Sequence, residues 1–186
     1  MTGMRAVHSR VSFADLERWP EDGRRYELYD GEVYEVPSPI LLHQIVAGRL
    51  YATLNDHVRQ HGGIVVFAPL DIVLTDYDVV QPDLLLFTKE RQGLLHLRKP
   101  NRVPPDLAIE ILAPGTVANE RGRKMQLLAR HRVREYWLVD PEAVTIEVFA
   151  SSGGQFALAN TASGRERVRS LLLPDLALLP ADLVPA

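Results

Sequence analysis

Apolar residues recur at four-residue steps through Leu42, Val46, Leu50, Leu54 and Val58 toward Gly62-Gly63, the spacing that lays one stripe along an α-helix. Ser38-Pro39 ahead of that stripe predicts an N-cap followed by proline at the first helical position, which makes this the longest helix of the chain. His43 lies one residue off the stripe, near Val46, Ala47 and Leu50, so its ring can reach the sheet that the stripe covers. Upstream, Val11-Ser12-Phe13-Ala14-Asp15-Leu16 predicts a short helix running to about Trp19. Ser12 is its N-cap, Asp15 reaches back from the third position, and Val11 staples onto Leu16. Tyr26 to Val36 alternates around Asp30-Gly31, the dipeptide that supplies the positive φ angles of a type I′ turn. A hairpin follows, with Leu28 facing Val33, and with Glu27 and Tyr34 sharing the opposite face.

Gly63 to Leu74 and Val79 to Phe87 read as two antiparallel strands joined by the polar turn Thr75-Asp76-Tyr77-Asp78. Leu94 to Pro105 reads as an ordered loop, and Leu107 to Leu112 as a third strand stopped by Ala113-Pro114-Gly115. Thr116 or Asn119 caps the next helix, where Met125, Leu128 and Ala129 form an apolar face and Lys124 leans inward on the adjoining stripe. Tyr136 to Val139 and Thr145 to Ala150 are short strands, Ser151 to Gly154 is a turn, and the leucine-rich end packs as an irregular cover. This order of elements predicts an α/β fold with a central mixed sheet flanked by helices and an N-terminal hairpin. One domain is expected over 1–186: a lead-in with a helix (1–25), the hairpin (26–36), a core (38–150) and a C-terminal cover (151–186).

Composition narrows the class. At 186 residues the chain can bury roughly 70% of its unfolded surface. No apolar run approaches the roughly 20 residues that cross a bilayer, so no membrane partner is expected. The absence of cysteine rules out a disulfide-linked partner and thiolate metal sites, and the amino terminus lacks an apolar signal core, which together predict a cytoplasmic protein. A net charge of -3 argues against a chain that coats nucleic acid, but phosphate binding depends on where cations sit. Arg121 and Arg123, in the basic run that continues to Arg134, are the candidate nucleic-acid contacts.

Candidate chemistry comes from polar residues stranded in apolar runs: Asp83 in Pro82-Asp83-Leu84-Leu85-Leu86-Phe87, Glu110 in Leu107-Ala108-Ile109-Glu110-Ile111-Leu112, and Lys124 on the following helix. A carboxylate in a buried strand loses several kcal/mol of solvation unless a cation, a metal or a raised pKa offsets it. Two carboxylates about 4 Å apart repel by roughly 4 kcal/mol at an effective dielectric of 20, which calls for a shared divalent cation or a proton. Hard oxygen ligands point to Mg²⁺ or Mn²⁺. His57, His61, His96 and His131 show no metal-ligand spacing.

At these residues the chain resembles the PD-(D/E)XK nuclease superfamily, in which an Asp after a Pro and an acidic residue two positions before a Lys bind the metal. Pro82-Asp83 fits the first half, while Leu112 stands where the second half has its lysine. The wider sequence is similar to a restriction-endonuclease-like family long described as a domain of unknown function, whose lysine comes from the following helix, a place matched by Lys124. Tyr26-Glu27-Leu28, Asp30-Gly31-Glu32, His43, Asp71, Gln81-Pro82-Asp83, Glu110, Lys124 and Glu135 to Pro141 carry that likeness over nearly the whole chain. It implies a Mg²⁺- or Mn²⁺-dependent endonuclease acting on DNA. Asp83, Glu110 and the Ile111 carbonyl would hold the metal and Lys124 would orient water, with Glu27, His43, Asp71 and Gln81 as accessory residues. Cutting both strands with one site per chain would require a homodimer. The rival reading, motivated by Leu112 and the acidic net charge, is an inactive nucleic-acid- or protein-binding module on the same scaffold.

Overall fold

The computed structural model describes residues 10–113 and 117–185. Its first elements follow from local sequence. Helix α1 (Phe13–Leu16) opens on Ser12 with both bonds of the capping box, although it ends before Trp19. Strands β1 (Arg25–Tyr29) and β2 (Glu32–Val36) pair with Leu28 opposite Val33 and Glu27 opposite Tyr34. Asp30 and Gly31 turn between them at φ 54° and 79°, the left-handed pair that a type I′ turn requires.

Helix α2 begins at Leu41 rather than Ser38 and runs to His61, with no side-chain cap. Pro37 and Pro39 each bias the residue before them toward extended backbone, so 37–40 runs as an exposed strap from β2 to α2 and the expected cap is not made. Val46, Leu50, Leu54 and Val58 are buried as the four-residue stripe requires.

The two long strands expected over 63–87 are instead four: β3 (Ile64–Phe67), β4 (Ile72–Thr75), β5 (Asp78–Val80) and β6 (Leu84–Phe87). Pro69 and Pro82 cannot donate to a ladder, and at both prolines the chain crosses between sheets. Strands β4 and β5 join the hairpin in a four-stranded antiparallel sheet of order β2-β1-β5-β4, while β3 and β6 pair in a larger sheet. A short helix α3 (Lys89–Gln92) precedes the loop to β7 (Leu107–Ile111).

Beyond β7, Val117–Asn119 forms α4, Glu120–Lys124 a π-helical turn, and Met125–Arg130 helix α5. Asn119 lies within this helical run and caps nothing, its amide being bonded to Tyr29 Oη at 3.0 Å; Thr116, the other expected cap, falls outside the described residues. Strands β8 (Glu135–Asp140), β9 (Thr145–Ser152) and β10 (Gln155–Ser163) complete a six-stranded mixed sheet of order β10-β9-β8-β7-β6-β3, whose β7–β8 pair is parallel. Strand β10 lies in what the sequence suggests is irregular cover. It is an edge strand with a register shift between Leu158 and Asn160, and it buries only Ala162, so it carries no apolar alternation to betray it.

Strands β6, β7 and β8 are covered on both faces, which explains their unbroken apolar runs. One face packs Leu84, Leu86, Leu107, Ile109 and Trp137 against the α2 stripe and Leu173, Leu176, Leu178 and Leu183 of the C-terminal cover. The other packs Leu85, Phe87, Ala108 and Leu138 against Leu127 and Leu128 of α5 and against Tyr29, Ile72 and Val80 of the smaller sheet. Glu135 fastens the cover: its buried carboxylate accepts from Ser170 Oγ and from the amides of Leu171 and Leu172 at 2.7–2.8 Å. No described helix is long and apolar enough to cross a membrane.

Candidate active site

Glu110 shares the strand face of Ala108 and therefore points between the two sheets, where the π-helical turn brings Lys124 over it. Lys124 Nζ lies 2.8 Å from Glu110 Oε1 and 2.9 Å from Glu27 Oε1, and the three side chains are only 2–4% exposed. Glu27 is held in turn by Tyr29 Oη and by the Gln81 amide, each donating at 2.7 Å. Tyr29 is two residues along β1 from Glu27 and so on its face, a signal that the hairpin register already contains.

Asp83 sits just before β6, where its carbonyl accepts from the Ala68 amide at 3.0 Å. Its Oδ2 accepts from the Ile111 amide at 2.8 Å and lies 3.0 Å from His43 Nε2, so α2 and β7 both orient it. The N–H and C=O of one strand residue point the same way, which aims the Ile111 carbonyl toward the same edge as Asp83. Leu112, two residues beyond Glu110, packs into the apolar cluster on that face. The position that holds lysine in the superfamily motif is thus apolar and partly buried, and the ammonium nearest Glu110 is that of Lys124 from the next helical segment.

A cavity of about 340 Å³ is lined by Asp83, Glu110, Lys124, Glu27, His43 and Gln81, with Ile111 and the 37–40 strap at its rim. Asp71 lies behind this group, accepting from Gln81 Nε2 at 2.7 Å, and does not line the cavity. Burial pushes the Asp71 carboxyl up, opposed by that hydrogen bond. Arg121 and Arg123 also lie outside the cavity, in surface ion pairs with Glu147 and Glu32. The sequence alone marks neither Tyr29 nor Glu120 as a site residue, and it offers Asn119 only as a helix cap and Tyr136 only as part of a buried strand. Asn119 donates to Tyr29 Oη at 3.0 Å, and Tyr136 Oη donates to the buried Glu120 through its carbonyl at 3.1 Å.

Electrostatics set the character of the site. Burial pushes the Glu110 carboxyl well above its usual range; Lys124 works against that shift and Asp83 adds to it. Desolvation acts to discharge Lys124, but Glu110 and then Glu27 outweigh it and hold the ammonium charged. Burial raises the Tyr29 phenol, so Tyr29 remains a hydrogen-bond donor to Glu27. Among the described residues, neither Asp83 Oδ1 nor Glu110 Oε2 accepts a hydrogen bond, and no three His, Asp or Glu side chains are grouped as metal ligands. A donor set of two hard carboxylate oxygens beside a backbone carbonyl fits a cation that keeps several waters, as Mg²⁺ does.

A family model described as "Putative restriction endonuclease", Uma2, matches residues 13–182. The chain belongs to the Uma2 family. All the side chains that line the cavity fall within the matched span. An uncharacterized protein of Synechocystis sp., slr1290, is 26% identical to this Uma2 chain over 175 residues, covering 89% of it and 88% of the relative. The crystal structure of a "putative nuclease belonging to DUF820" from Anabaena variabilis matches with a TM-score of 0.77 over 93% of this chain and 97% of that one, at 20% identity. At that identity the likeness is one of fold, and it agrees with the family in assigning a restriction-endonuclease-like architecture.

Proposed function

We propose that this Uma2 protein is a divalent-metal-dependent endonuclease that hydrolyses DNA phosphodiester bonds in the Asp83–Glu110–Lys124 cavity. The observation that carries the reading is Lys124 Nζ at 2.8 Å from Glu110, in the cavity that Asp83 also lines. Stability alone gives no reason to bury two glutamates and a lysine together there, since well-packed apolar residues commonly serve as well or better.

Asp83 Oδ1, Glu110 Oε2 and the Ile111 carbonyl would hold Mg²⁺ or Mn²⁺, which when bound lowers the pKa of a water and polarises a phosphoryl oxygen. The protein's own groups do the rest. His43 and the Ile111 amide fix one oxygen of Asp83 and leave the other for the cation. Lys124 is ion-paired with Glu110 and Glu27 at 2.8 and 2.9 Å, and an ammonium with three N–H groups held there would orient the attacking water or meet charge developing on the phosphate. Glu27, locked by Tyr29 and Gln81, keeps the ammonium in register, and Asp71 steadies Gln81 from behind. Because both carboxylates keep Lys124 charged, it serves as a donor and not as a base. Cleavage of both strands would bring two copies together, each supplying one cavity.

Purified protein incubated with supercoiled plasmid and Mg²⁺ or Mn²⁺ is expected to nick it, and chelation or Asp83→Ala should stop the reaction. Nicking no faster than that of an Asp83→Ala, Glu110→Ala double variant would end the nuclease reading. Binding of divalent cation by calorimetry, lost in Glu110→Ala, would separate an active centre from an inactive binding module.

A further inference from the structure

Next to the catalytic cavity, and sharing Arg25, Pro39, His43 and Asp83 with it as a common wall, lies a second cavity of about 320 Å³. It is built mainly from apolar and small residues: Ala47, Gly48 and Tyr51 of α2 on one side, Phe67 and Ala68 at the end of β3 on the other. Phe67 is 58% exposed at the edge of the six-stranded sheet. Tyr51 meets it edge-to-face, with centroids 5.1 Å apart and planes at 83°, which fixes the ring while leaving it open to solvent. Gln44 stands exposed at the rim with an amide able both to donate and to accept. Gly48 is an exposed lining position on α2, and nothing lies within 4 Å of a Cβ built there, so a larger side chain has room to reach over the slot.

We propose that this slot takes one unpaired nucleobase of the substrate strand, adjacent to the phosphate that enters the Asp83–Glu110 cavity, so that single-stranded or locally opened DNA is the substrate class. The inference rests on the nuclease reading above. Continuity decides the occupant: the wall between slot and cavity is His43 with Asp83, so a nucleotide whose phosphate lies on one side has its base on the other. An exposed, buttressed ring offers a π-face that any base can stack on, and an amide at the rim meets the polar edge of that base. Arg25 complements the backbone, since its guanidinium gives one N–H to the Pro37 carbonyl at 3.0 Å and keeps its other donors for a phosphate. A base inside a duplex stack cannot enter such a slot without being extruded, which is why the geometry selects unpaired nucleotides. A folded protein partner would need about 800 Å² on this side of an interface, far more than a slot of this size presents.

The test uses the full chain with Ca²⁺ in place of Mg²⁺, so that binding is read without turnover, and a single-stranded oligonucleotide carrying 2-aminopurine, which dims when stacked. Wild type should quench the probe, while Phe67→Ala and the slot-filling Gly48→Trp should each weaken single-strand binding about tenfold or more. In Mg²⁺ the same two variants should lose single-strand cleavage in proportion. Gly48→Trp adds bulk into open space on an exposed helical position, and an unchanged circular dichroism melt shows that it is folded. The slot assignment is overturned, with the nuclease reading intact, if wild type cuts fully paired oligonucleotide as fast as single strands in an Asp83-dependent way, or if both variants bind single strands with wild-type affinity and full quenching. A wild-type chain that neither binds nor cuts any DNA overturns both.

Discussion

Replacing Lys124 with methionine keeps the stem of the side chain and removes its charge, which exposes how the site is held together. Glu110 and Glu27 lie within 2.9 Å of that ammonium and are 2% and 3% exposed, so the variant leaves two carboxylates in a pocket that water scarcely reaches. Removing one partner of a buried pair costs about 3–5 kcal/mol, against a total stability of about 5–15 kcal/mol for a domain. At about 2–4 °C per kcal/mol for a chain of this length, Tm should fall by about 6–20 °C at pH 7. The direction with pH follows from Glu110, whose carboxyl burial already pushes up and which loses its cation in the variant. A carboxyl whose folded pKa lies above its unfolded value takes up a proton on folding, so its penalty is largest at pH 7 and shrinks as pH falls toward 5. Thermal melts of Lys124→Met and wild type by circular dichroism at pH 7 and pH 5, in chelator, measure this. A variant whose Tm stays within about 2 °C of wild type at pH 7, or whose deficit grows on acidification, would refute the view that Lys124 is the counter-ion of two buried glutamates.

Two further outcomes follow from individual contacts. His43→Ala should weaken Mn²⁺ binding by about 10- to 100-fold in calorimetry while leaving the fold unchanged, because His43 orients Asp83 without contributing to the core; unchanged affinity would remove its positioning role. Asp15, whose bonds to Ser12 hold its carboxyl down at about 2 against an ordinary 3.8, stabilises the start of α1 above pH about 4 and loses that effect as pH falls through about 2. An amide exchange rate at Leu16 that does not rise between pH 4 and pH 2, after correction for intrinsic chemistry, would contradict this.

Much of this molecule is legible from local rules. Asp30-Gly31 is enough to place Leu28 against Val33, because a two-residue type I′ turn leaves the hairpin only one register. The α2 stripe reads directly as a buried face, and Ser12 with Asp15 as a capping box. Asp83 and Glu110 stand out because desolvation makes a carboxylate in an apolar strand expensive wherever that strand ends up. Such signals are carried by neighbours in the chain, or by a penalty that any burial incurs.

Only the tertiary structure decided which distant segments meet. The 63–87 segment forms four strands, not two, because Pro69 and Pro82 interrupt the ladders where the chain passes between sheets, and β10 leaves no pattern in the sequence because an exposed edge strand needs no apolar alternation. The π-helical turn sets Lys124 onto Glu110 and Glu27 at once, a meeting of three elements that no spacing along the sequence encodes. The same packing turned Asp71 behind Gln81 and tied Arg121 and Arg123 to surface carboxylates. The physical reason is that propensity and solvation belong to a residue and its near neighbours, whereas a pairwise contact belongs to the geometry that burial of the whole core imposes.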